Sequence, residues 1–242
     1  MALPKIDIPT FTTKLFSSNQ EITYRPFLVK EEKILYMALE GGETSEMTRA
    51  MKQIINNCVQ EELDIDNLPL FDIEYIMVNI RAKSVGESAQ VIHRCQQLIK
   101  EEPCNNEIPL NIKLEQISLN REIDTEPQII MLADDIGIQM KYPKSELLNT
   151  TVSEETGLME NLWNTLELCI DFIFDSEDAY QLENYSTEEK SDFFDSLTQE
   201  QFGKIRTFFD ELPRLQYTDK YKCSNCNYNG DLVIEGLDSF FV

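Results

Sequence analysis

The stretch Cys223-Ser-Asn-Cys226-Asn-Tyr-Asn-Gly-Asp-Leu-Val-Ile-Glu235 decides how this chain is read. Two cysteines at C-x-x-C spacing are followed by a polar turn and then by the apolar run Leu232-Val-Ile-Glu-Gly-Leu237. Such a turn points both thiolates at one ion, which makes half of a structural zinc site. The residue after the second cysteine needs a tolerance for left-handed φ, and Asn227 stands there, the best non-glycine choice. Lys220 and Lys222 add positive charge that favours thiolates. Far upstream, Cys95 and Cys104 precede Ile108-Pro-Leu-Asn-Ile-Lys-Leu114 in the same manner, although eight residues instead of two separate these cysteines. Two knuckles that each feed a strand are the parts of a four-cysteine zinc ribbon. The expected ligand set is Cys95, Cys104, Cys223 and Cys226, with zinc as the cofactor. Two alternatives stand beside it: a relic turn that no longer takes metal, and His93, the only histidine, in place of Cys95.

Thiol–disulfide exchange is the main rival for a C-x-x-C. That chemistry places the motif at a helix N-terminus, where the dipole lowers the thiol pKa. Here a turn and a strand follow, so a redox role is not expected. Cys58 and Cys169 fall within helical patterns and read as small buried apolar residues.

The composition is that of a folded, water-soluble chain: 242 residues, 42 % hydrophobic and 27 % charged. Its formal charge of -23 repels nucleic acid and anionic membrane, so neither is an expected partner. The first residues, Met-Ala-Leu-Pro-Lys-Ile-Asp7, lack the basic and apolar regions of a signal peptide, and no run approaches a membrane span. Six cysteines without such a signal point to a reducing cytosol. No G-x-S-x-G, P-loop, G-x-G-x-x-G or H-E-x-x-H is present. Glu31-Glu32 and Asp134-Asp135 are adjacent carboxylates, but neighbours on a helix or strand point apart and make no acid/base dyad. An enzyme is not expected.

Along the chain, Phe11–Phe16 and Glu21–Tyr24 read as a β-hairpin. A helix over Lys30–Glu40 carries Ile34, Leu35 and Leu39 on one face and ends at Gly41-Gly42. Met47, Met51, Ile54, Ile55 and Cys58 mark a second helix, and Ile73, Ile76, Met77 and Ile80 a third. Alternating strands follow, including a ribbon at Gln128–Met140 around Asp134-Asp135. Leu158, Leu162, Leu166, Cys169, Ile170 and Ile173 read as one helical stripe, with Trp163 alongside. Two short capped helices begin at Ser186 and Thr198. The expected fold is α+β but mostly helical: an N-terminal hairpin arm (1–30), a helical lobe (31–87), a β unit with the first cysteine pair (88–144), a second helical lobe (145–212) and a closing knuckle and strand (213–242). The two lobes would meet at a small zinc-ribbon-like unit.

Four segments carry a family resemblance: Tyr24-Arg-Pro-Phe-Leu-Val-Lys-Glu-Glu-Lys33, Arg81-Ala-Lys-Ser-Val-Gly86, Asp135-Ile-Gly-Ile-Gln-Met-Lys-Tyr-Pro143, and the closing cysteine pair with its Leu-Val-Ile-Glu-Gly-Leu-Asp-Ser-Phe-Phe241 tail. Together they resemble the baseplate hub and hub-assembly proteins of T-even-type tailed phages. The resemblance implies a role in building the hub of a contractile-tail baseplate, as an assembly factor or a hub subunit. It implies hub or tail proteins as partners, and the host cytoplasm or the virion baseplate as the location. A zinc-ribbon adaptor acting on a host protein is the alternative of another class. Family members commonly show C-x-x-C at both knuckles, and the present chain departs from that at Cys95 and Cys104. Phe16, Phe27, Tyr36, Phe240 and Phe241 are candidate contact residues.

Overall fold

The computed structural model describes residues 6–124, 128–145, 147 and 158–235, with the backbone alone at 44 and 158–162. The chain opens with an antiparallel hairpin, β1 (Phe11–Lys14) and β2 (Glu21–Tyr24). Three helices follow: α1 (Val29–Gly41), α2 (Thr44–Cys58) and α3 (Leu70–Ser84). Next come β3 (Ser88–Arg94), the short strands β4 (Leu98–Ile99) and β5 (Glu102–Pro103), β6 (Glu107–Lys113), β7 (Ser118–Leu119), β8 (Gln128–Met131) and β9 (Gly137–Met140). After α4 (Leu158–Cys169) the chain runs through β10 (Ile170–Phe174), β11 (Ala179–Tyr180), α5 (Thr187–Asp195), α6 (Gln199–Asp210), β12 (Leu215–Lys222) and β13 (Asn229–Glu235).

Six helices and thirteen strands among the described residues make this an evenly mixed α+β protein. The expectation of a mostly helical chain is thereby corrected. The largest single error lies at Ile170 and Ile173, read as the end of a helical stripe. The helix stops at Cys169, and Ile170–Phe174 becomes the second strand of a four-stranded sheet ordered β11-β10-β9-β8. A continuous apolar run does not separate a buried helix from a buried strand by period alone, and the β-branched, aromatic sequence Ile-Asp-Phe-Ile-Phe favours the strand once neighbours exist to pair with it.

Three cores result. The first packs the β1–β2 hairpin on α2 and α3, burying Ile22, Ile54, Ile55, Ile73, Ile76 and Ile80. The helical spacings read in α2 and α3 hold: Met51, Ile54, Ile55 and Cys58 are buried on one, and Ile73, Ile76, Met77 and Ile80 on the other. Helix α1 differs. Leu39 is exposed, and together with Val29, Tyr36 and Met37 it forms an outward apolar side. Two buried carboxylates anchor this region. Glu31 accepts hydrogen bonds from Arg25 Nη2 (2.9 Å) and from the Leu28 N–H (2.9 Å). Asp72 accepts the Phe16 and Ser17 N–H groups of the hairpin turn at 2.7 and 3.2 Å.

The second core contains the cysteines and shares α3 with the first, since Val78 faces it. The third gathers the four-stranded sheet with α5 and α6 around Ile138, Leu166, Phe194, Ile205 and Phe208. Both short helices carry the capping boxes read from sequence: Ser186 accepts from the Glu189 N–H, and Thr198 from the Gln201 N–H. The last stretch of the sequence, with Phe240 and Phe241, lies outside the described residues, as do Glu154 and its neighbours ahead of α4.

Candidate metal centre

Each cysteine pair caps an antiparallel hairpin, and the two hairpins are built alike. Strands β3 and β6 pair in seven-residue register from Ser88↔Lys113 to Arg94↔Glu107. Strands β12 and β13 pair from Gln216↔Glu235 to Lys222↔Asn229. In both, the residue before the first cysteine pairs with the residue three beyond the second. The backbone bonds inside the knuckles repeat as well. The Asn105 N–H donates to Cys95 O at 3.0 Å, and the Asn227 N–H to Cys223 O at 2.9 Å. The Cys95 N–H donates to Asn106 O at 3.0 Å, and the Cys223 N–H to Tyr228 O at 2.8 Å. Asn227 takes the left-handed φ expected of it, 57°, and Asn105 takes 49° at the equivalent place.

The difference in length is confined to one feature. Strands β4 and β5 form a minimal ribbon, Leu98↔Pro103 and Ile99↔Glu102, closed by Lys100 and Glu101. Both of those residues have positive φ, 51° and 75°, as a two-residue type I′ turn requires. At the base of the ribbon the Cys104 N–H donates to Gln97 O at 2.8 Å. The chain thus leaves the knuckle at Gln97, makes the ribbon, and re-enters at Cys104.

The hairpins converge at their cysteine ends. Cys95 Sγ lies 3.7 Å from Cys226 Sγ, and Cys104 Sγ lies 3.8 Å from Cys223 Sγ. All four sulfurs fall within 4.8 Å of one another. Exchanging the hairpins (Cys95 with Cys223, Cys104 with Cys226) turns one of these contacts into the other, so the site has a local two-fold arrangement. The rings of His93 and Tyr221, each two residues before its first cysteine, pack together with centroids 4.4 Å apart. His93 therefore serves in the hairpin contact, and the clustered ligand atoms are the four thiols.

Polar groups surround the sulfurs. Asn225 Nδ2 donates to Cys104 Sγ at 3.3 Å, and Asn106 Nδ2 approaches Cys223 Sγ at 3.7 Å. The backbone N–H groups of Cys226 and Asn225 pull the Cys223 thiol down to about 6. The Tyr228 N–H acts in the same direction on Cys226, but burial and the neighbouring thiols outweigh it and push that thiol up to about 12. Lys220 and Lys222 are exposed. Gly230 allows the aromatic cover over the second knuckle, because a Cβ there would stand 2.6 Å from the Tyr228 ring and 2.9 Å from Tyr221. Elsewhere, burial raises Cys58 to about 11 and Cys169 to about 12, consistent with packing residues.

Sequence reasoning named the four cysteines and Asn227, and the structure brings all of them to one point. It missed Asn105, Asn106 and Asn225. A signal existed: Cys104-Asn105 and Cys226-Asn227 repeat the same dipeptide at the exit of each knuckle. Of the proposed contact residues, Phe16 packs on Tyr75 with centroids 4.4 Å apart and Phe27 packs on the first core, so both are structural; Tyr36 is exposed.

Chemically, the four clustered thiols form a set of sulfur donors between two hairpins. Fold and site together define an α+β protein with two cysteine knuckles. Residues 8–242 match the family described as T4 bacteriophage base plate protein, and the chain belongs to that family. Searches of the curated proteins and of the solved structures return no match. No helix among the described residues is long and apolar enough to cross a membrane.

Proposed function

We propose that this protein is a non-enzymatic assembly factor, a chaperone, for the baseplate hub, and that it binds hub or tail proteins in the host cytoplasm while the virion is built. The observation that supports this reading is the family match across residues 8–242, which makes the chain a baseplate protein. The hub assignment draws support from the four hub-like segments. Two of them meet in the fold, where the Phe27 N–H donates to Ser84 Oγ at 2.9 Å. The non-enzymatic reading is supported by the fate of the carboxylate pairs. Glu31 is consumed by Arg25, Lys30 and the Leu28 N–H, while Asp134 and Asp135 sit exposed in the turn between β8 and β9. The charge of -23 favours basic partners and speeds their encounter. We assign the outward side of α1, with Val29, Tyr36, Met37 and Leu39, to the contact with the baseplate partner.

Mass spectrometry of purified mature particles tests the assembly role. The expected result is at most traces of this chain; stoichiometric copies would make it a hub subunit that stays. Co-purification from infected cells tests the partner. Hub or tail proteins are expected, and Tyr36→Asp should reduce their recovery without lowering the melting temperature. Host factors recovered without hub proteins would replace this reading with the adaptor.

A further inference from the structure

We propose that Cys95, Cys104, Cys223 and Cys226 hold one structural zinc ion at the junction of two equivalent hairpins, and that the upstream knuckle is a C-x-x-C turn carrying the ribbon Leu98–Pro103 as an insert. This site stands apart from the assembly role and would survive its failure.

Four observations carry it. A tetrahedral zinc with sulfurs about 2.3 Å away sets those sulfurs about 3.8 Å from one another. The two measured cross-hairpin separations are 3.7 and 3.8 Å. A disulfide needs about 2.05 Å and one partner per sulfur, whereas all four sulfurs here share one locus. Second, the two cross-hairpin contacts are exchanged by swapping the hairpins, so each knuckle contributes an equivalent pair of sulfurs, and two such pairs complete a closed four-thiolate site.

Third, the surroundings suit negative sulfur. Asn225 and Asn106 side-chain amides and the backbone N–H groups of Asn225, Cys226 and Tyr228 all present donors to it. A thiol needs few acceptor contacts, but a metal-bound thiolate is stabilised by several such donors. In the complex all four sulfurs are thiolates, any protons still on them pass to solvent, and the net charge of about −2 is offset by these donors. Fourth, the bond from the Cys104 N–H to Gln97 O closes the base of the ribbon. Removing residues 98–103 would leave Cys95-Gln96-Gln97-Cys104, a knuckle of the same spacing as Cys223-Ser224-Asn225-Cys226. The irregular spacing is thus an insertion outside the ligand turn.

The test is elemental analysis of the full chain purified without chelator. About one equivalent of zinc is expected. Cys223→Ser should lower it at least about fivefold, and His93→Ala should not. A variant lacking residues 98–103 should keep the metal. Because a cysteine variant can fail to fold, the wild type loaded with Co(II) supplies a second reading: the absorption spectrum of a tetrahedral site with four sulfur ligands. Less than about half an equivalent of metal in folded protein overturns the site, and iron in place of zinc overturns the assignment of the ion. A cobalt spectrum with fewer sulfurs overturns the ligand set. A folded ribbon-deletion variant that has lost its metal overturns the insert reading.

Discussion

The two knuckles share two equivalent backbone bonds each, yet one spans two intervening residues and the other eight. Their comparison teaches that ligand spacing counts residues while coordination depends on where the chain returns. A β-ribbon is the cheapest way to add residues without moving the ends, since its two strands start and finish side by side. In the present chain the ribbon costs two non-glycine residues in left-handed φ, Lys100 and Glu101. The knuckle itself uses asparagine at the equivalent strained position on both sides, Asn105 and Asn227.

A second contrast runs along α3, which separates a core closed by cysteines from one closed by buried carboxylates. Removing metal should have the largest effect and should fall on one side only. With zinc as proposed, chelation is expected to lower the melting temperature by about 10 °C or more, because metal binding energy is folding energy. Limited proteolysis should then cut β3–β6 and β12–β13 while α1–α3 persist. Cleavage first within α1–α3 would break the contrast.

The carboxylate side should respond next. Glu31→Gln leaves Arg25 without its counter-ion and is expected to cost about 3 kcal/mol by denaturant titration, with the metal content unchanged. The pH dependence has a definite sign. Burial alone would raise the Glu31 carboxyl, but its bonds from Arg25, the Leu28 N–H and Lys30 win and hold it below its ordinary value near 4.5. A depressed carboxyl contributes stability that is complete above the ordinary value and is lost as pH falls through the folded one. Asp72 has the opposite sign, because burial raises it in spite of its bonds from Ser17 and Phe16. Wild type should therefore lose stability on acidification below about pH 4.5 more steeply than Glu31→Gln, and parallel curves would remove Glu31 from the account.

The smallest effects test the equivalence of the knuckles. Asn105→Val and Asn227→Val should each cost about 1–2 kcal/mol, since a β-branched residue resists left-handed φ, and the glycine variants should be nearly neutral. Unequal costs at the two sites would show that the ribbon has changed the strain of its knuckle.

Much of this was legible in order of residues. The helical period of α2 and α3 placed their buried faces correctly, because four apolar residues at three- and four-residue steps leave one orientation that buries them all. The capping boxes at Ser186 and Thr198 were readable because they are local, closed within four residues. Ile170–Phe174 was not readable, since its strand state depends on β9 and β11, pairing partners that no local pattern reveals. Leu39 was misplaced for the converse reason. Its face of α1 has the period of a buried stripe and packs on the first core at Leu35, but that contact does not reach Leu39, which stays exposed.

The sequence by itself determined the two cysteine pairs, the turn chemistry at Asn227, the strand after each cysteine pair and the membership in a baseplate family. These depend on residue identity and short spacing, which the chain carries along its length. Only the tertiary structure decided that Cys95 and Cys104 form a true knuckle, that the hairpins meet in a two-fold arrangement, and that a helical stripe becomes a strand. Each of those rests on contacts between residues far apart in the chain, as with the 131 positions separating Cys95 from Cys226. Long-range pairing is settled by which surfaces can be buried together, and that is a property of the packed whole.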